Sequence, residues 1–146
     1  MPTISKAIEI ATQAHQGQVD KAGKPYISHP LAVMALVDGE LEKIVAVLHD
    51  VVEDTPISLN DLAAEGFSAE CLAAVDAITK RDGEPLDDYL ERVKSNPIAI
   101  KVKLADLTHN MDLSRIAEPT AKDFARIERY KQTYQTLQAI SGEFHN

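Results

Sequence analysis

Cysteines, basic residues and long apolar runs are scarce in this sequence, and each scarcity excludes a class of protein. The 146 residues include one cysteine, Cys71, so neither an intramolecular disulfide nor a zinc site built from cysteines can form. No apolar run approaches the roughly 20 residues of a membrane-spanning helix, and the first residues lack the apolar core of a signal peptide. We therefore expect a cytoplasmic protein without a membrane partner.

The balance of charge argues against nucleic-acid binding. Lysine and arginine number 15 against 23 aspartates and glutamates, which gives a net charge of −8. Affinity for a nucleic-acid backbone depends on clustered basic side chains, so a nucleic-acid polymer is not an expected partner. A small anionic ligand remains compatible with this charge, because a bound metal ion can reverse the local field. Length and composition are those of one globular domain, predicted over residues 1–146.

The apolar pattern is helical almost throughout, and no segment alternates as a strand does between hairpin turns. Capping residues, glycines and prolines divide the pattern into about eight helices. The predicted segments are residues 4–17, 30–37, 40–54, 58–66, 68–79, 86–94, 97–111 and 120–141. The sequence thus predicts an all-α fold.

The most informative stretch is LHDVVEDT, residues 48–55. Its ionisable members are His49, Asp50, Glu53 and Asp54. On a helix with about 100° per residue these four share an arc of about 140°, and apolar residues fill the opposite arc. Burying them without a counter-charge would be costly. A divalent cation supplies that charge, and imidazole with carboxylate suits Mn, Fe or Zn.

Two adjacent residues do not complete a metal site, so further ligands must come from other helices. The candidates are His29 and Asp106. On the helix over residues 97–111, Lys103, Asp106 and Asn110 fall within an arc of about 60° that is flanked by apolar residues. The pattern predicts a largely buried helix whose narrow polar stripe faces a charged group.

The order of these residues resembles the H…HD…D signature of HD-domain phosphohydrolases. More narrowly, five motifs are similar to those of the hydrolase domain of RelA/SpoT alarmone enzymes, including the small stand-alone alarmone hydrolases. In chain order the motifs are residues 14–18, Lys21 with Gly23, and residues 25–30, 49–55 and 102–106. Because all five occur in the family's order, the resemblance is specific.

The resemblance implies a helical HD-domain bundle that removes the 3′-diphosphate of a guanosine nucleotide such as ppGpp. It also implies one divalent cation, usually Mn²⁺, held by His29, His49, Asp50 and Asp106. The cation would lower the pKa of a water and polarise a phosphoryl oxygen, and a carboxylate would orient or deprotonate that water. Glu53 and Asp54 would form the catalytic acidic pair. Lys21 and Lys103 would offset phosphate charge, and Asn110 would contact the nucleoside.

Two positions depart from the family pattern. Asp20 stands where the family commonly has an arginine that stacks on the guanine base, and a carboxylate cannot replace a guanidinium against an aromatic ring. Leu107 stands where a second arginine is frequent. These departures leave open an HD phosphohydrolase for another nucleotide. A non-catalytic nucleotide or metal sensor is the alternative from another class, although Glu53 and Asp54 speak against it.

Several other residues have simpler interpretations. His15 is predicted to lie in the core, and Arg115 and Arg126 on a solvated helix face. Tyr26 either lines the site or packs its loop. His109 either supports the site as a partner of a ligand or caps its helix.

Overall fold

The computed structural model describes residues 1–20 and 22–144 of the chain. These residues contain nine α-helices and one 3₁₀ helix. The helices are α1 (Ile4–Ala14), α2 (Ser28–Ala35), α3 (Glu40–Leu48), α4 (Val51–Asp54), α5 (Leu59–Ala64), α6 (Ala69–Ile78), α7 (Leu86–Lys94), α8 (Pro97–Asn110), the 3₁₀ helix (Leu113–Arg115) and α9 (Ala121–Phe144). The all-α prediction is confirmed. None of these helices is both long enough and apolar enough to cross a membrane.

The segment over residues 40–54, predicted as one helix, consists of α3 and α4 with His49 and Asp50 between them. His49 Nδ1 contacts the carbonyl oxygen of Ala46, which is the acceptor for the Asp50 N–H in an unbroken helix. The side chain therefore competes with the backbone at this turn. The prediction of a single helix was wrong, although the nine α-helices of the described residues agree with the prediction of about eight.

The predicted caps form where the sequence places them. Ser58 Oγ accepts a hydrogen bond from the Asp61 N–H, and Asp61 Oδ2 accepts one from the Ser58 N–H, which is the reciprocal pair of a capping box. At the start of α8, Asn96 Oδ1 accepts from the Ala99 N–H, and a proline occupies the first helical position. These local signals fix the starts of α5 and α8.

Helices α3 and α8 form the centre of the core. The last five residues of α3, from Ile44 to Leu48, are all buried, and α3 packs against α1, α2, α6 and α8. Helix α8 packs in turn against α2, α3, α6, α7 and α9. Because each large apolar side chain that is fully buried contributes about 1.5–3 kcal/mol, this packing holds the end of α3 firmly against α2 and α8.

Candidate metal centre

The four side chains predicted as metal ligands meet at one point. His29 lies on α2, His49 and Asp50 lie between α3 and α4, and Asp106 lies on α8. His29 Nε2 is 2.7 Å from Asp106 Oδ1 and 3.8 Å from Asp50 Oδ2. His49 Nε2 is 3.3 Å from Asp106 Oδ1 and 3.1 Å from Asp50 Oδ2. Three separate regions of the chain thus present two imidazole nitrogens and two carboxylate oxygens to one another.

These separations fit ligands that share one divalent cation. Two ligand atoms each about 2.1 Å from a cation are separated by roughly 3.0 Å at a right angle and about 3.4 Å in a tetrahedron. The observed range, 2.7 to 3.8 Å, brackets both values. His29, His49 and Asp106 are buried, and they form a cluster compatible with a metal ion. The donor set is therefore suited to a borderline or hard divalent metal.

Asp106 is held as a carboxylate by the groups around it. Lys103 Nζ donates to its Oδ2 at 3.0 Å, and Asn110 Nδ2 donates to its Oδ1 at 3.2 Å. Burial alone would raise the pKa of Asp106, but Lys103 and the two histidines hold that pKa well below its usual value. Lys103 and Asn110, predicted to contact substrate, therefore also bind a candidate metal ligand.

His49 and Asp50 are each oriented by a neighbour. Because Nδ1 of His49 contacts the Ala46 carbonyl, Nε2 is the ring nitrogen that faces the carboxylates of Asp50 and Asp106. Burial would lower the pKa of His49, but the charges of Asp50 and Asp106 raise it well above its usual value. The Tyr26 hydroxyl donates to Asp50 Oδ2, so Tyr26 belongs to the site.

The predicted acidic pair lies next to this cluster. Asp50, Glu53 and Asp54 can bring one carboxylate oxygen each within 4.8 Å of one another. Glu53 Oε1 accepts a hydrogen bond of 2.7 Å from the Lys80 N–H. Burial, and after it the charge of Asp50, raises the pKa of Asp54. Burial also raises the pKa of Glu53, although the hydrogen bond from the Lys80 N–H acts to lower it. Burial thus favours the protonated form of both carboxylates, and both line the adjacent cavity.

A cavity of about 500 Å³ opens beside the cluster. Its metal-side wall includes His29, Asp50, Glu53, Asp54, Lys103 and Asp106. The lining also includes Asn110, which contacts Asp106, together with Asp20, Asp112, Arg115, Ile116, Arg126 and Tyr130. The volume lies within the usual range for small-molecule sites, roughly 300–1,000 Å³.

Comparison with known proteins relates the chain to alarmone enzymes. No protein-family model matches it. The GTP pyrophosphokinase of Streptomyces coelicolor is 35% identical over 97% of this chain and 17% of its own length. The bifunctional (p)ppGpp synthase/hydrolase SpoT of Escherichia coli is 34% identical over 74% of this chain and 17% of its own length. This chain therefore spans less than a fifth of these curated relatives.

A solved structure matches the whole fold. It belongs to a metazoan orthologue of SpoT described as hydrolysing ppGpp, and the match has a TM-score of 0.77 with 21% identity. It covers 98% of this chain and 94% of that one. The chain is a RelA/SpoT-type HD domain. Both the helical HD-domain fold and the relationship predicted from the motifs are confirmed.

Two arginines of this RelA/SpoT-type domain were placed wrongly by sequence reasoning. Arg115 and Arg126 do not lie on a solvated face; both are largely buried and line the cavity. A spacing signal existed for Arg126, because it lies four residues before Tyr130, which also lines the cavity. Arg115 is the last residue of the 3₁₀ helix after α8, and three residues are too few for periodicity to give information. Lys21, also predicted to contact substrate, lies outside the described residues.

His109 of the RelA/SpoT-type domain is a partner of a candidate ligand. Its Nδ1 is 2.7 Å from His29 Nδ1, and the two rings stack with centroids 5.0 Å apart. Burial, followed by the charge of Arg115, lowers the pKa of His109 to about 4, so its imidazole is neutral at pH 7 and can accept a hydrogen bond. With Nε2 of His29 turned to a cation, Nδ1–H of His29 would donate to His109.

We therefore expect His109→Ala to weaken binding of a divalent metal about 10- to 100-fold, the usual effect of removing the partner of a metal-bound histidine. Titration of the metal-free protein with Mn²⁺ would measure the affinity. Thr108→Ala, an exposed change one residue away, is the control. Unchanged affinity in the His109 variant would mean that its contact with His29 does not orient the ligand.

Proposed function

We propose that this domain is a metal-dependent phosphohydrolase that removes the 3′-diphosphate of (p)ppGpp as pyrophosphate, with Mn²⁺ as its cation. The observation that carries the proposal is the meeting of two imidazoles and two carboxylates within 2.7 to 3.8 Å beside a cavity of nucleotide size. We assign the cation to His29, His49, Asp50 and Asp106, and we treat residues 1–146 as one catalytic domain. The names of the alarmone relatives support the choice of substrate.

In this proposal the chain's own residues position the reactants and move the proton. When bound, the cation would activate a water and draw charge from a phosphoryl oxygen. Glu53 and Asp54 orient that water and take its proton as the new P–O bond forms. The ester bond between the 3′ oxygen and phosphorus breaks, Glu53 or Asp54 returns a proton to the 3′ oxygen, and pyrophosphate, which holds the new P–O bond, dissociates. Tyr26 and Lys103 keep Asp50 and Asp106 in place throughout.

The cavity's charges also support an anionic substrate despite the net charge of −8. Lys103, Arg115 and Arg126 all line it. Together with a divalent cation they offset the acidic cluster locally, so that a polyphosphate would not meet a uniformly negative wall. The cationic groups are spread over the lining, since Lys103 pairs with Asp106 whereas Arg115 pairs with Asp20, so a ligand with a phosphate end and a second end is favoured.

The direct test is a substrate panel with purified protein and Mn²⁺. We expect ppGpp to yield GDP and pyrophosphate, while adenosine and pyrimidine nucleotides give little product, and a chelator should abolish turnover. Turnover of another nucleotide but not of ppGpp would assign the domain a different substrate. Metal binding without turnover of any phosphoester would instead make it a sensor.

A further inference from the structure

The guanidinium of Arg115 is fixed at the cavity wall by two acceptors. Nη1 donates to the carbonyl oxygen of His109 at 3.0 Å, and Nη2 donates to Asp20 Oδ2 at 3.1 Å. With only 23% of its side chain exposed, Arg115 is much less mobile than a surface arginine. Because each terminal nitrogen already makes one hydrogen bond to the protein, the plane of the guanidinium is fixed.

Asp20 is itself held in place by the backbone. Its Oδ1 accepts hydrogen bonds from the N–H groups of Ala22 and Lys24, at 2.9 and 3.0 Å, which leaves Oδ2 for Arg115. The side chain of Asp20 is 7% exposed, so it has little surface to offer a ligand. Asp20 lines the cavity next to Arg115, and its Oδ2 accepts the hydrogen bond from that guanidinium.

The surroundings of Arg115 disfavour phosphate and favour a planar, uncharged group. Asp20 balances the charge of the guanidinium, and Asp112 adds a second carboxylate to the same wall. Ile116, the next residue, also lines the cavity and supplies apolar surface. A charge-balanced guanidinium beside an aliphatic side chain is suited to stacking on an aromatic ring.

From this arrangement we infer that Arg115 is the residue on which the purine base of the nucleotide stacks, and that Asp20 is its positioning residue. The base therefore lies against the wall formed by Arg115 and Ile116, and the phosphates extend to the metal side. The inference rests on the proposed function only in taking a nucleotide as the ligand. It can therefore be tested by equilibrium binding, without turnover.

The test compares a ligand that has a base with one that lacks it. Binding of GDP, CDP and inorganic pyrophosphate to the full chain with Mn²⁺ would be measured by calorimetry. We expect Arg115→Ala to weaken GDP binding about 10-fold or more, with a smaller loss for CDP, because stacking depends on the ring. Pyrophosphate binding should change by less than about 2-fold, and Arg129→Ala, an exposed change on α9, should alter neither.

Two further variants separate stacking from charge. Arg115→Lys keeps the positive charge but loses the plane, so GDP binding should stay weak. Asp20→Asn frees the guanidinium, so GDP binding should fall while pyrophosphate binding becomes stronger. In a protein that already carries Arg115→Ala, adding Asp20→Asn should leave the ratio of GDP affinity to pyrophosphate affinity unchanged.

The outcomes also distinguish this inference from the proposed function. Equal losses for GDP and pyrophosphate in Arg115→Ala, or recovery of GDP binding in Arg115→Lys, would make Arg115 a phosphate contact and overturn the inference. If the Arg115→Ala variant does not fold, Arg115→Met is used in its place, because methionine keeps the packing of the arginine's aliphatic stem. Failure to hydrolyse ppGpp, with GDP binding still dependent on Arg115, would overturn only the proposed function.

Discussion

Replacing His49 with alanine is expected to remove the bound cation and to lower phosphohydrolase turnover by at least about 1,000-fold, because several kcal/mol of transition-state stabilisation depend on the metal. His49 is 3% exposed, and its Nε2 lies within 3.3 Å of both Asp50 and Asp106. Without this imidazole, two carboxylates and one histidine face each other across a larger gap. Metal content and turnover of the purified variant give the first measurement.

Thermal unfolding gives an independent measurement that does not require activity. A cation that binds only the folded chain stabilises it by about 2.7 kcal/mol at a concentration of 100 times Kd. The melting temperature of the wild-type protein should therefore rise with added Mn²⁺, whereas that of His49→Ala should not. His49→Gln retains more of the side-chain volume. It therefore shows whether the loss of the Mn²⁺ effect comes from the missing imidazole or from a cavity left in the core. Full turnover without His49 would mean a contaminating phosphatase or a wrong ligand assignment.

His49 is a cleaner position for this experiment than Asp106. The carboxylate of Asp106 is the partner of Lys103, whose ammonium is largely buried and also lies 5.5 Å from the centre of the Tyr89 ring. Burial would lower the pKa of Lys103, but Asp106 raises it, so the lysine is charged. Removing Asp106 would leave that charge unpaired, and unfolding would then be confused with loss of metal.

Local signals in the sequence predicted the helices well, but they could not predict contacts between helices. The caps at Ser58 and Asn96 act over three residues, so their effect follows from the sequence alone. The approach of His29 to Asp106 joins positions 77 residues apart, and the sequence indicated it only through the need for further ligands and the family motif. The break at His49 was missed because a helical wheel does not consider that a side chain can compete for a backbone carbonyl.

Asp20 and Arg115 illustrate the same limit elsewhere in the lining of the cavity. From the sequence, Asp20 was interpreted as the loss of an arginine that the family commonly has. Arg115 was predicted to lie on a solvated helix face. They are 95 positions apart, yet their side chains form an ion pair at 3.1 Å. The contact arises because the 3₁₀ helix after α8 brings Arg115 back to the loop after α1, and no periodic pattern encodes that turn. A change at position 20 can therefore be interpreted only together with position 115.

Replacing Glu53 with glutamine is expected to lower kcat about 100- to 10,000-fold, the range typical of a lost general acid or base, while the metal content stays near that of the wild type. The amide has nearly the shape of the carboxylate, and its oxygen can still accept the hydrogen bond from the Lys80 N–H. What the variant loses is the ability to take up a proton. KM should change little, because Glu53 is not needed to hold the phosphates.

The matched control is Glu91→Gln, the same substitution at a carboxylate that is 74% exposed on α7 and pairs with Lys94. It should leave kcat and metal content unchanged, since an exposed ion pair of this kind contributes little. A Glu53→Gln protein that loses both metal and activity would make Glu53 a ligand instead of a proton acceptor. If kcat is retained, the proton is taken up by Asp54 alone. The pKa of Asp54 is also raised, by burial and by the charge of Asp50. Comparison of kcat with metal content would thus separate the proposed roles of the two carboxylates.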